Sequence, residues 1–121
     1  MAHPEAGPAV AVALRAWVPQ EYASYLAPYG LHVIAAGGEL APGDARTYGA
    51  DVLIVSAECL GADTQMLAQP QLPTVFIAPK PTMIPNVQGV VQVLEPLRAS
   101  EVATASREAL AQWTSGTRRQ P

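Results

Sequence analysis

The sequence has little of what many specialised small domains depend on. Its single cysteine, Cys59, cannot form an internal disulfide, and no Cys/His spacing predicts a zinc site. Charged residues make up only 14% of the chain, and the net charge is −3. The longest basic run is Arg118-Arg119, whereas a nucleic-acid-binding module needs a basic stripe. We therefore expect neither a nucleic-acid partner nor a metal.

Long hydrophobic runs are also missing. The apolar stretches are about 7 residues long, against the ~20 that a membrane-spanning helix needs. The N-terminus lacks a basic region followed by an apolar core, which is the pattern of a signal peptide. We therefore expect a cytoplasmic protein that does not insert into membranes.

What the sequence does have is enough apolar material for one folded domain. The chain has 121 residues, of which 50% are hydrophobic, and 22 of these are alanine. The two ends are small, polar and without periodicity. We expect a disordered N-terminus over residues 1–8, one domain over residues 9–114, and a flexible tail or linker stub over residues 115–121.

Five short apolar runs predict strands. They are rich in Val, Ile or Leu and nearly continuous, as in a parallel sheet buried on both faces. The runs are Ala9–Arg15, Leu31–Ala35, Asp51–Ala57, Pro73–Ala78 and Val90–Leu94.

Helix-sized segments separate most of these runs. The predicted helices are Pro19–Tyr29, one or two turns over Ala45–Tyr48, Asp63–Gln69 and Ala99–Trp113. In the first, Tyr22, Leu26 and Tyr29 share a face, so both tyrosines are expected to face the core. Gly30 then ends that helix, and Trp113 is expected to cap the core at the end of the last one.

The connection Pro79–Gly89 differs from the others. Pro79, Pro81 and Pro85 remove backbone donors, so a regular helix is not expected there. The alternation of strands and helices predicts a doubly wound α/β sheet with right-handed crossovers.

Three stretches resemble the receiver (CheY-like) domains of bacterial two-component systems. They are YASYLAPYGLHVIAA (Tyr22–Ala36), GADVLIVSA (Gly49–Ala57) and VVQVLEPLRASEVATASREAL (Val90–Leu110). The resemblance implies a five-stranded parallel sheet of order 2-1-3-4-5. In this chain the family's fourth helix is expected to be shortened or replaced by the Pro-rich loop.

The chain departs from the family at every position that carries its chemistry. The Mg²⁺-binding acidic pair aligns near Arg15 and Ala16, and the phospho-accepting aspartate aligns with Ser56. Ala78 stands where a Ser or Thr senses the phosphoryl group, and Glu95 stands where a Lys precedes proline. Mg²⁺ requires oxygen ligands, and a glutamate repels a phosphoryl group. The resemblance therefore implies a pseudo-receiver that is not regulated by aspartyl phosphorylation, with no cofactor and no enzymatic activity.

An alternative hypothesis is that the same end of the sheet binds a small molecule. Ligands of doubly wound sheets bind beyond the carboxyl ends of the strands. Arg15, Ser56, Glu58 and Glu95 would then form a ligand-binding or catalytic site. Residues Arg15–Pro19 lack the Gly, Ser and Thr of a phosphate-cradling loop, which argues against FMN.

A protein-interaction module in signalling or localisation is the favoured function. Receivers commonly use the surface of the fourth helix, fifth strand and fifth helix for dimerisation and output. The corresponding surface here contributes the candidate interface residues Met83, Ile84, Val87, Gln92 and Arg98, and Tyr25 on the first helix is a further candidate. The chain also resembles the N-terminal pseudo-receivers of pilus-assembly ATPases of the TadZ/CpaE kind. The expected partners are a second copy of the chain or a downstream ATPase or effector domain.

Overall fold

A computed structural model describes residues 8–13, 19–36, 49–57, 70, 72–81, 83, 87–94 and 98–119. Its strands are β1 (Ala9–Ala13), β2 (His32–Ala36), β3 (Val52–Ser56), β4 (Thr74–Ala78) and β5 (Val90–Leu94). Its helices are α1 (Pro19–Leu26) and α2 (Ala99–Arg119), and a 3-10 turn, Ala27–Tyr29, follows α1. The two other predicted helices, over 45–48 and 63–69, lie outside the described residues.

The five strands form one parallel sheet in the order β2-β1-β3-β4-β5. This is the predicted order, and each predicted strand is found within about two residues of its expected bounds. β3 lies at the centre of the sheet, between β1 and β4. β2 and β5 are consequently the two edge strands.

Alternation along the strands divides the core between the two faces of the sheet. On one face, strand residues pack with Leu26 of α1 and with Val102, Ala105 and Ala109 of α2. On the opposite face, Leu53, Val55 and Phe76 form a second buried cluster. Because β3 and β4 are buried on both faces, their sequences contain no alternating polar positions, and this explains why short continuous apolar runs predicted them.

α2 is the main cover of the first face. Its buried stripe contains Val102, Ala103, Ala105, Ser106 and Ala109. The hydroxyl of Ser106 donates a hydrogen bond of 2.8 Å to the Val102 carbonyl oxygen, so the one buried polar side chain of this stripe is satisfied within the helix. Small side chains allow α2 to approach the sheet closely.

The ends of both helices differ from the predicted ends. α1 ends at Leu26, because Pro28 has no backbone donor and the chain tightens into the 3-10 turn before Gly30. This turn rotates Tyr29 away from the core, so its side chain is 41% exposed and the prediction that it faces the core was wrong. The side chain of Tyr22 lies outside the described part. α2 continues past Trp113 to Arg119, into the segment expected to be a tail.

The connection before β5 has the expected irregular character where it is described. Residues 79–81, 83 and 87–89 contain neither helix nor strand. The Thr74 amide donates to the Gly89 carbonyl oxygen at 2.7 Å, which aligns the start of β5 with β4. Among the described residues, no helix is long and apolar enough to cross a bilayer.

Candidate functional site

The carboxyl ends of β3 and β4 place two of the predicted site residues on neighbouring strands. Ser56 is the last residue of β3 and pairs with Ile77, so Ala78, the last residue of β4, lies one step beyond it. Ser56 is half-buried and Ala78 is fully buried. The two positions that align with the phospho-acceptor and the phosphoryl sensor are thus adjacent in space, as the resemblance implies.

The chemistry available at this end is limited by the residue types. A serine hydroxyl is not a carboxylate, and the methyl group of Ala78 offers no hydrogen bond to a phosphoryl oxygen. Arg15, Ala16, Glu58 and Glu95 lie outside the described residues, so their grouping with Ser56 stays a prediction. Within the described ranges, no three His, Cys, Asp or Glu side chains are placed to hold a metal ion.

Asp51 lies at the opposite end of β3, where it makes hydrogen bonds that hold two strands together and is far from the candidate site. Its Oδ2 accepts a hydrogen bond of 2.9 Å from the Ala9 amide, and its own amide donates to the Ala9 carbonyl oxygen at 2.6 Å. The Ala-Asp pair before the third strand therefore fixes the start of β1 against β3. This contact accounts for an aspartate at position 51 without any role in the site at the carboxyl ends of the strands.

A second candidate site lies at the β5 edge of the sheet. An open groove of about 500 Å³ runs between β5 and the outer flank of α2. We call it the β5–α2 groove, and it is lined by Val91, Gln92, Val93, Leu94, Ser100, Glu101, Thr104, Ala105 and Glu108. Val91 and Val93 belong to the core cluster under α2, so the floor of the groove is continuous with the core.

Polar and apolar side chains occupy different parts of this groove. Glu101, Thr104 and Glu108 are exposed along α2, whereas Val93 and Ala105 are buried beneath them. Leu94, at the end of the strand, is 38% exposed. The groove therefore combines an apolar floor with an acidic wall, and no Lys, Arg or His is among the described residues that line it.

Two contacts of Gly89 fix the position of β5 relative to α2. The Gly89 amide donates a hydrogen bond of 3.0 Å to Oε1 of Gln112. Gly89 also has a φ of +91°, and a Cβ at this position would lie 2.8 Å from Cε3 of Trp113. Trp113 thus packs on the turn before β5, where only a glycine fits. The predicted core-capping residue is half-buried at this contact.

The other flank of α2 makes a comparable contact at the far edge of the sheet. Arg107 Nη2 donates a hydrogen bond to the Tyr29 carbonyl oxygen, beside the turn that leads into β2. Gly30 has a φ of +83°, and a Cβ there would lie 2.7 Å from the same Nη2. Arg107 therefore contacts the β2 side, while the two groove carboxylates of α2 face the β5 side.

The candidate interface residues do not all lie on one surface. Gln92 lines the β5–α2 groove, and Arg98 is exposed immediately before α2. Met83 is 100% exposed and Val87 is half-buried in the Pro-rich connection. Ile84 lies outside the described residues. Tyr25 is 42% exposed on α1, which packs beside β2 at the opposite edge.

Comparison with known proteins gives the fold a precedent. No protein-family model and no curated protein matches the chain. A solved structure does match: the signal receiver domain of a modulated diguanylate cyclase from Desulfovibrio desulfuricans G20, described as an example of alternate folding. It aligns with a TM-score of 0.62 and 17% identity over 91% of this chain and 98% of that one. The chain has the receiver fold. Its five-stranded parallel sheet of order 2-1-3-4-5 is the arrangement of CheY-like domains.

The sequence alone did not single out the two groove carboxylates. Glu101 and Glu108 are seven positions apart on the polar side of an amphipathic helix, where charged residues ordinarily face solvent. The periodicity of α2 could have placed them on one flank. It could not have shown that this flank borders β5, because that depends on the contacts of Gln112 and Trp113 with Gly89.

Proposed function

We propose that this chain is a non-catalytic receiver-fold module that binds a protein partner in bacterial signalling or localisation, independently of aspartyl phosphorylation. Its docking face is the β5–α2 groove. The observation that carries this proposal is the contrast between the two candidate sites. The strand ends have lost the acceptor carboxylate, whereas the groove offers an open apolar floor of about 500 Å³.

The residues at the strand ends support independence from phosphorylation. Phosphoryl transfer to a receiver needs a carboxylate acceptor, a bound Mg²⁺ and a hydroxyl that contacts the phosphoryl oxygens. Ser56 cannot form an acyl phosphate, and Ala78 cannot donate a hydrogen bond. Arg15 at the position of a metal ligand would add a positive charge where the cation should bind.

The exposure of the groove supports a role in protein binding. A sheet edge continuous with the core exposes apolar side chains unless something covers it. Val91 is half-buried and Leu94 is exposed, although both belong to a strand of the central sheet. The partner that covers them is a second protein, either a downstream ATPase or effector domain or a second copy of this chain.

Phosphorylation is tested with acetyl phosphate and Mg²⁺, followed by intact-mass measurement. We expect no covalent adduct, and no change in the amide spectrum with beryllofluoride and Mg²⁺. The Ser56→Asp variant should also stay unmodified, because one carboxylate does not restore the metal site or the lysine. Stoichiometric labelling of the natural chain, at Ser56, Glu58 or Asp63, would show that phosphotransfer has been retained.

The docking face is tested by site-specific photo-crosslinking in the native host. A benzophenone amino acid replaces Thr104, which is exposed in the groove, or Ser24, which is exposed on α1 as the matched control. We expect a crosslinked adduct of defined mass from position 104 and none from position 24. Equal adducts from both positions, or an adduct from position 24 alone, would place the docking face elsewhere.

A further inference from the structure

The charge of the β5–α2 groove restricts what can bind there. Of the nine described residues that line it, Glu101 and Glu108 are anionic and none is cationic. Arg98, exposed just before α2, does not belong to this lining. Phosphate-rich surfaces, whether nucleic acid or anionic lipid, would meet like charge at this wall. A segment with Lys or Arg beside an apolar surface would be complementary to both the wall and the floor.

The spacing of the two carboxylates is regular. Glu101 and Glu108 lie seven positions apart, so they are on the same face of α2 and about 10.5 Å apart along its axis. A second helix lying along α2 presents its own positions i and i+7 at the same spacing. Two cations at these positions can therefore each meet one carboxylate.

The surface between the carboxylates suits an apolar side chain. Thr104 and Ala105 are small, and Val93 lies buried beside them. A leucine or similar residue at i+3 or i+4 of the incoming helix would reach this position, because those residues share a face with i and i+7. This is the helix-in-groove mode of peptide recognition.

A second copy of this chain is a poor occupant of the same groove. In a two-fold dimer the same patch meets itself. Antiparallel α2 helices would bring Glu101 of one copy towards Glu108 of the other, and the described lining holds no cation to offset the repulsion. Arg107 donates to Tyr29 on the opposite flank of α2, away from this contact.

We infer that the β5–α2 groove receives a basic amphipathic helix of another protein, with Lys or Arg at positions i and i+7 and an apolar residue between them. This inference rests on the proposed function, because it names the partner chemistry of the proposed docking face.

Two synthetic peptides of equal length test the inference against the 121-residue chain. Each is about 18 residues long, since shorter isolated helices are marginal in water. The first carries two lysines seven positions apart with leucines between them, and the second carries glutamates in place of these lysines. Fluorescence anisotropy measures both affinities in low and high salt.

We expect the basic peptide to bind and the acidic one to bind at least tenfold more weakly. Raising the salt from ~50 to ~500 mM should weaken the basic peptide several-fold, because it screens exposed charges. The Glu101→Gln/Glu108→Gln double variant should lose about fivefold in affinity, as expected for two exposed ion pairs. Glu21→Gln is the matched control, since Glu21 is also an exposed first-turn acid but lies on α1. It should bind normally.

Three results would overturn the inference: equal binding of the two peptides, no effect of the double variant, or no binding of the basic peptide at ~1 mM, which corresponds to a negligible affinity. The Thr104 crosslink separates this failure from a failure of the proposed function. A crosslink at Thr104 without basic-peptide binding means that the face is right and the partner chemistry wrong. A self-crosslink between two copies means that the occupant is a second copy. Loss of both peptide binding and crosslink rejects the docking face itself.

Discussion

The two edge strands of the sheet begin with similar turns but have different neighbours. β2 follows Gly30 and β5 follows Gly89, both glycines have positive φ, and a side chain of α2 packs on each. On the β2 side, α1 packs beside the strand and Arg107 ties the turn to α2. On the β5 side, the charged groups among the described residues that line the groove are the carboxylates of Glu101 and Glu108. Both flanks of α2 therefore hold an edge strand, through Arg107 on the β2 side and through Gln112 and Trp113 on the β5 side. The β5 side adds the open groove that we propose as the docking face.

The largest effect on this comparison should come from Gly89→Ala. The new Cβ would lie 2.8 Å from Cε3 of Trp113, so the indole ring would have to shift, whereas Cα of Trp113 at 3.7 Å is in ordinary contact. Positive φ and overpacking together should lower the free energy of unfolding by about 3 kcal/mol. Urea denaturation measures this change.

Gly49→Ala is the matched control for backbone strain alone. Gly49 has a φ of +82°, and nothing lies within 4 Å of a Cβ built there. It should cost about 1 kcal/mol. If Gly89→Ala costs no more than Gly49→Ala, Trp113 does not hold the turn before β5 as described. Gly89→Ala should also weaken the binding of the basic peptide, since it displaces β5 from α2.

Gly30→Ala should have the next largest effect, about 2 kcal/mol, because it adds displacement of Arg107 to the cost of positive φ. The obstructing atom, Nη2 of Arg107, is the far end of a flexible side chain. When Arg107 is also replaced by alanine, the loss of unfolding free energy caused by Gly30→Ala should fall to that of Gly49→Ala. Urea denaturation of the natural chain, the two single variants and the double variant measures this loss. A loss that persists in the double variant would contradict the proposed contact. Peptide binding should be unchanged, because Gly30 lies at the β2 edge.

Gln112→Ala should have a smaller effect of about 1 kcal/mol, since it removes one part-buried acceptor from the Gly89 amide. Gln112→Glu keeps an acceptor oxygen at the same reach and should restore most of the stability. The melting temperatures of the natural chain, Gln112→Ala and Gln112→Glu, measured side by side, make the comparison. Equal losses in both variants would mean that the hydrogen bond is not what the side chain contributes.

The strands could be predicted from the sequence because they are buried, whereas their order was implied by the resemblance to receiver domains. β3 and β4 are covered on both faces, so four of the five residues in each strand are apolar and the runs stand out. Helix ends were predicted less well. Pro28 was included in the first helix, although it lacks a backbone donor. Residues 115–121 were interpreted as a tail because they are small and polar without periodicity, yet α2 continues to Arg119.

Of the two candidate sites, one could be predicted from the sequence and the other could not. Ser56 and Ala78 could be identified by counting along strands, because parallel strands end at a common edge. The β5–α2 groove could not, because its walls meet only through contacts between residues distant in the chain, such as Gly89 with Gln112. Its acidic character depends on which flank of α2 faces β5, and helical periodicity does not determine this.

The smallest effect is expected at the strand ends. A ligand present at 100 times its dissociation constant would stabilise the chain by about 2.7 kcal/mol. We expect no shift in melting temperature with nucleotides, acyl phosphates or divalent metals, because neither Ser56 nor Ala78 suits them. A reproducible increase with any one of these would favour the small-molecule site of Arg15, Ser56, Glu58 and Glu95.

The proposed docking face is the β5 edge of the sheet and not the β2 edge. An amide-resolved NMR titration of the uniformly ¹⁵N-labelled chain with the basic peptide tests it in one measurement. We predict saturable shifts at Val91, Thr104 and Glu108, and none at His32 or Ile34 of β2. Shifts centred on β2 and Tyr25, or spread evenly over both edges, would contradict it.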